Sequence, residues 1–215
     1  MINEKNEELL NSQYAKAKQE GKVKISLKKP VDLTKFSLNQ KAVSGNPAAS
    51  VVLVEFSDVQ CPFCARAQIN LAKIEEEYSS QIGIYYLHFP LSFHTEAKIA
   101  ANALECAKEQ NQFKALKPRL FDNQQELKVP DIIAIAKNIA KLNQDQFSQC
   151  LNSNKYLAKV EEDFALGQSV NVSGTPTVFI GHLDKETNLF QGESVVGARS
   201  ADYYRELLDK YLANK

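Results

Sequence analysis

The run Val51-Val52-Leu53-Val54-Glu55-Phe56, followed by Cys61-Pro62-Phe63-Cys64 and a helix-like stretch, constrains this chain most: it specifies a strand, a turn and a helix with two thiols at the junction. Residues 51–56 have the β-branched, near-continuous apolar character of a strand covered on both faces. Ala67, Leu71, Ile74 and Tyr78 recur at spacings of four, three and four, which predicts a helix. Pro62 suits the first helical position, where its missing N–H costs nothing, so Cys61 falls at the N-cap beside unpaired backbone amides. Those amides and the helix dipole favour a thiolate over a thiol. The pattern predicts a dithiol/disulfide redox pair: Cys61, the more acidic and more exposed thiol, attacks, and Cys64, one turn inside, resolves the mixed disulfide.

Zinc competes for a Cys-x-x-Cys pair, but it takes four ligands, usually with a second closely spaced pair. Cys106 and Cys150 stand alone, and His88, His94 and His182 form no ligand-spaced group with them. Inert core cysteines are the other alternative. Phe63 offers no acid, base or charge, and reads as a determinant of potential or of substrate contact. Far downstream stands Val172-Ser173-Gly174-Thr175-Pro176-Thr177-Val178-Phe179-Ile180. Proline cannot donate to an inner ladder, so Pro176 is expected where that strand starts.

Gly45-Asn46-Pro47 ahead of a strand, then Glu55-Phe56-Ser57-Asp58-Val59-Gln60-Cys61-Pro62-Phe63-Cys64, and later Gly174-Thr175-Pro176-Thr177, resemble the DsbA-like thiol:disulfide oxidoreductases of the thioredoxin superfamily. Phe89-Pro90-Leu91-Ser92-Phe93-His94 and the alanine-rich residues 97–107 are similar to that family's passage from strand into inserted helices. The resemblance implies an α/β chain, a thioredoxin fold with an inserted helical domain. Its parts are an N-terminal extension (1–45), a first part of the core (46–94), the helical insertion (95–167) and a second part of the core (168–215).

The resemblance also assigns roles. Cys61 is the attacking and Cys64 the resolving cysteine, with Pro62 and Phe63 between them and Thr175-Pro176 a cis turn packed against their disulfide. The Thr175 hydroxyl is expected near the Cys61 sulfur. Glu55 is either a buried carboxylate handling a proton near Cys64 or an ordinary strand carboxylate facing solvent, and His94 is expected to cap the start of the insertion. Some relatives carry a second, structural disulfide. Cys106 and Cys150 are therefore expected to bridge the insertion in an oxidising compartment, where closing a loop of roughly 45 residues contributes about 4 kcal/mol, or to stay free in a reducing one.

The local pattern fills in the rest. Residues 1–21 are polar, with a short helix through Leu9, Leu10, Tyr14 and Ala17; residues 23–27 alternate like an edge strand; residues 30–47 read as a linker or extended lead-in. A strand at 82–89 is expected parallel to the first. Four helices are predicted in the insertion: one through Ala97, Ala100, Leu104 and Ala107; one after Pro130; one capped by Asn143 with Gln146 as a capping box; one from Ser153 to a stop at Gly167. Strands at 177–180 and 189–191 and a helix at 201–212 complete the chain.

The implied activity is oxidation of dithiols in exported, cysteine-containing proteins, with a quinone-linked membrane oxidase restoring the disulfide and no bound metal or organic cofactor. A disulfide isomerase or reductase, and a non-catalytic chaperone-like module, are the alternatives. The 26 basic and 26 acidic residues cancel, giving no electrostatic case for nucleic acid or an anionic membrane. No apolar stretch is long enough to span a bilayer, and residues 1–8 lack the apolar core of a leader. Taken alone, that start points to the cytoplasm. The resemblance instead implies the periplasm or another extracytoplasmic compartment, with the leader absent from this sequence.

Overall fold

Every residue of the strand Val51–Ser57, β3 in chain order, is buried, and the fold is arranged around it. The structure is a computed structural model that describes residues 33–213, together with Ser12 and Lys16, both helical. The chain divides into units of residues 1–32 and 33–215. Apart from Ser12 and Lys16, the expected N-terminal helix and the strand at 23–27 lie outside the described residues.

The second unit carries a six-stranded sheet in the order β1-β6-β5-β3-β4-β2. Its strands are β1 (Thr34–Ser37), β2 (Ser44–Gly45), β3, β4 (Gly83–His88), β5 (Thr177–Leu183) and β6 (Leu189–Val196). β3 runs parallel to β4, with Leu53 beside Ile84, and antiparallel to β5, with Leu53 beside Ile180. The parallel pair requires a crossover, which is α1 (Pro62–Tyr78).

Residues 30–47, expected as a linker or lead-in, instead hold two strands. Phe36 on β1 is buried against Phe56, Phe179 and Phe190, and that aromatic contact recruits the segment to the edge β6. The sheet thus begins ahead of residue 46.

Between β4 and β5 run α2 (Ala97–Glu109), α3 (Phe113–Asp122), α4 (Val129–Ala136), α5 (Gln144–Asn152) and α6 (Leu157–Ser169); α7 (Ala201–Ala213) closes the chain. Five helices stand where four were predicted. The missed one is α3, whose interior Pro118 reads in sequence as a helix breaker. Burial of Phe113, Leu116, Leu120 and Phe121 holds it. Asn143 caps α5 by accepting from the Gln146 amide at 3.0 Å, but the reciprocal bond comes from Gln110, whose Oε1 accepts from the Asn143 amide at 2.7 Å.

Two helix boundaries differ from expectation. Ser153 closes α5 and is not the N-cap of α6, which is Tyr156. Gly167 lies inside α6 and does not end it. A Cβ there would stand 2.5 Å from the Phe89 ring and 3.1 Å from Phe56, so the glycine allows α6 to approach the sheet.

Three buried clusters result. One fills the space between the sheet and α1 and α7, through Val51, Leu53, Ile74, Tyr204 and Leu208. A second covers the opposite face, through Val54, Phe56, Phe89 and Phe179. The third is built mainly by the inserted helices and takes in Cys61, Cys64 and Tyr86. Within it a disulfide joins Cys106 on α2 to Cys150 on α5, with Cα atoms 5.9 Å apart.

Gly167→Ala is expected to cost about 1–3 kcal/mol through overpacking against Phe89 and Phe56. Urea unfolding of the two proteins checks it, and an unchanged midpoint would mean that the rings yield freely.

Candidate active site

Cys61 takes extended backbone angles (φ −77°, ψ 120°) and is the N-cap of α1, with Pro62 opening the helix. The Cys61 carbonyl already accepts from the Ala65 amide at 3.2 Å. Cys64 lies one turn inside on the buried stripe that continues through Ala67, Leu71, Ile74 and Tyr78. Proline at the first position, and a stripe that must face the sheet, together fix which cysteine sits at the helix end.

Both sulfurs are free thiols. Cys61 is only 3% exposed and Cys64 fully enclosed, so Cys61 is less open than its N-cap position suggested. A hydrogen bond from Cys64, ahead of the opposing effect of burial, leaves the Cys61 thiol pushed down to about 5, with Thr175 and the Phe63 and Cys64 amides adding to the effect. Burial pushes the Cys64 thiol far up, and its hydrogen bond to Cys61 adds to that. The pair is polarised: charge resides on Cys61 and the proton on Cys64.

The Thr175–Pro176 peptide is cis. It is the Thr175 carbonyl that meets Cys61, accepting from its Sγ at 3.4 Å. The Thr175 hydroxyl, expected at that sulfur, does interact with it and with Cys64, favouring charge on both, although it and the buried hydroxyls of Ser57 and Tyr86 make no full geometric hydrogen bond. Ser57 and Thr175 both favour charge on Cys64. Glu55 is 3% exposed, which removes the solvent-facing alternative. Its Oε1 accepts from Gln68 Nε2 of α1 at 2.7 Å. Glu55 pairs in register with Tyr86, whose hydroxyl is pushed well up by burial and then by the charges of Glu55 and, more weakly, Cys64. Tyr86 therefore stands within electrostatic reach of both.

Three residues that the sequence did not single out fasten the loop before Cys61. The Asp58 carboxylate accepts from the Gln60 amide at 2.8 Å, the Leu91 amide at 2.9 Å and His94 Nδ1 at 2.7 Å. The Asp58 carbonyl accepts from the Cys61 amide at 3.1 Å, and its own amide points at Cys64 Sγ at 3.5 Å. His94 thus bonds back to this loop as well as preceding the insertion. Gln60 Oε1 accepts from the Glu96 amide, and Gln124 Nε2 donates to the carbonyls of Val59 at 2.5 Å and Cys61 at 2.9 Å. Asp58 and Gln60 adjoin the cysteine motif and were within reach of sequence reasoning. Gln124 lies 63 residues from Cys61, in a stretch whose sequence carries no sign of it.

The lowered Cys61 value makes a pH prediction. Alkylation of Cys61 by iodoacetamide should follow a thiolate titration with a midpoint near 5, far below the ordinary thiol value of about 8.5. A depressed acid stabilises the folded, reduced form above the unfolded value, and this stability is lost as pH falls through the folded one. The stability of the reduced form relative to the disulfide form should therefore decline from about pH 9 to pH 5. A midpoint above 8 would contradict the geometry.

The family model described as Thioredoxin matches residues 37–193. Disulfide bond formation protein D of Bacillus subtilis (strain 168) is 26% identical over 190 residues, covering 83% of this chain and 80% of that protein. Na(+)/H(+) antiporter NhaA 3 of Salinispora tropica is 31% identical over 157 residues, covering 73% of this chain but only 23% of the antiporter. The chain thus spans under a quarter of the length of that relative. Among solved structures, alpha-DsbA1 of Wolbachia pipientis superposes with a TM-score of 0.66 at 21% identity, over 91% of this chain and 96% of that one. Oxidised BdbD of Bacillus subtilis gives 0.64 at 23% identity, over 81% and 100%. The sheet, the inserted helices and the match over most of the length agree: the chain belongs to the thioredoxin family and shares the fold of the DsbA structures.

Proposed function

We propose that this protein is a thiol:disulfide oxidoreductase that works as a dithiol oxidase on cysteine-containing exported proteins. The observation that carries this reading is the polarised pair: an acidic Cys61 at the end of α1 and a buried, proton-holding Cys64 behind it. A disulfide whose departing thiolate is stabilised is a strong oxidant, because the reduced form is the favoured one.

In the oxidising direction a substrate thiolate attacks Cys61 Sγ of the Cys61–Cys64 disulfide. The S–S bond breaks, its electron pair goes to Cys64, and Cys64 takes up a proton. The second substrate thiolate then attacks the substrate sulfur of the mixed disulfide and displaces Cys61 as a thiolate, its low pKa speeding departure. Two electrons pass from substrate to enzyme. Glu55 is the group proposed to exchange the proton with Cys64: Tyr86 feels the charge of both, and the Ser57 hydroxyl interacts with Cys64. Pro62, Phe63, Thr175 and Pro176 shape the approach to Cys61.

Reoxidation is assigned to a membrane partner such as a quinone-linked oxidase. The Cys106–Cys150 disulfide supports an extracytoplasmic location, since such bonds persist in oxidising compartments. It is proposed as structural, tying α2 to α5. Among the described residues no helix is long and apolar enough to cross a membrane. Transport activity is not carried over from the antiporters, whose match takes in at most a quarter of their length.

Equilibration of Cys106→Ala/Cys150→Ala protein with glutathione gives the potential of the Cys61–Cys64 couple. A value near about −120 mV is expected, and one near about −270 mV would reverse the direction to that of a reductase. Glu55→Gln should prolong the life of a mixed disulfide on Cys61 by about tenfold or more, as loss of a proton-transfer group does. An unchanged lifetime would remove Glu55 from the mechanism.

A further inference from the structure

Beside the cysteines lies a cleft of about 610 Å³ between the first turns of α1 and the loop joining β6 to α7. Phe63 and Val196 form its apolar part, each 55% exposed. Its walls are tied to the active site and to each other. The Gly197 amide donates to the Pro176 carbonyl at 2.8 Å, and Asn70 Nδ2 on α1 donates to the Arg199 carbonyl at 2.8 Å. Phe63, between the two cysteines in sequence, thus places this cleft next to the cysteine pair.

The cleft is lined by two arginines and no carboxylate. The Arg66 guanidinium lies over the Phe63 ring at 4.4 Å, and that of Arg199 over Tyr203 at 5.7 Å. Both side chains are exposed. Among the described residues neither belongs to an ion pair, whereas nearby Arg205 is held by Glu77 and Asp202. The chain as a whole has no net charge, so this is a local excess of positive charge. Stacked guanidiniums are held in place yet keep their planar donor edges for a carboxylate.

We infer that this cleft selects among substrates by charge, favouring cysteine-containing segments with an Asp or Glu close to the cysteine and an apolar side chain to cover Phe63 and Val196. Arg66 and Arg199 are the specificity-determining residues. The inference rests on the proposed oxidase reading and deepens it from dithiols in general to acidic segments.

The test uses the full chain in its disulfide form and three dithiol peptides that differ only in carrying Glu, Gln or Lys beside the cysteine. The readout is the Glu-to-Lys ratio of oxidation rates, compared between the native protein and Arg66→Gln/Arg199→Gln. This comparison cancels the effect of the peptide charge on its own thiol. At low salt the native ratio should exceed the variant's by about fivefold, the scale of one well-placed exposed ion pair. The excess should vanish toward about 1 M salt, where the screening length falls to about 3 Å.

Equal ratios in the two proteins, or a ratio indifferent to salt, would overturn the inference. Binding of fluorescent Glu and Lys peptides with serine in place of cysteine separates the two readings. Charge-dependent binding lost in the variant, with no peptide oxidised by either protein, would sink the oxidase reading and keep the cleft. Oxidation of all three peptides with equal binding would keep the oxidase and sink the cleft.

Discussion

Complete burial of β3 is the constraint from which the rest of the structure follows. A strand covered on both faces and hydrogen-bonded on both edges has one free direction, its carboxyl end, and the chain must turn there into a helix that packs back on the sheet. Residues 58–61 make that turn. The helix stripe through Ala67 and Ile74 then faces the sheet, so Cys64 is drawn inside and Cys61 is left at the helix end. The difference between the two sulfurs is therefore a consequence of core packing, expressed through burial and one shared hydrogen bond.

The inserted helices act on this junction through polar contacts at its rim. Gln124, from the connection between α3 and α4, holds two carbonyls of the turn, while Asp58 gathers Gln60, Leu91 and His94. Their fixed position depends on the apolar cluster around Leu104, Leu116 and Phe147, which also takes in Cys61 and Cys64 and is crossed by the Cys106–Cys150 disulfide. The insertion thus contributes geometry to the cysteine pair as well as covering it. Across the site, the β6–α7 loop supplies the opposite wall, anchored through Gly197 to Pro176.

Much of the fold was legible because its elements follow strong local rules. Residues 51–56 are apolar almost without interruption and so read as an inner strand; residues 67–78 repeat at helical spacing; Pro62 and Asn143 mark helix starts by their backbone chemistry. Legibility failed where tertiary contact overrides a local preference. Pro118 interrupts α3 in sequence yet is carried by four buried apolar neighbours. Gly167 reads as a stop but exists to admit Phe89, and residues 34–37 look like a linker until Phe36 finds three aromatic partners.

The candidate site divides in the same way. The sequence by itself determined that two thiols stand at a strand–helix junction with a proline at the first helical position, because those are properties of adjacent residues. Only the tertiary structure decided that Glu55 is enclosed, that the Thr175 carbonyl accepts from Cys61, and that Cys106 and Cys150 are joined. The same holds for the turn fastened by Asp58, His94 and Gln124 and for the two arginines that share one cleft. The physical reason is distance along the chain. Burial, shared protons and local charge arise between segments tens of residues apart, and their pairing is fixed by how the sheet and the inserted helices pack.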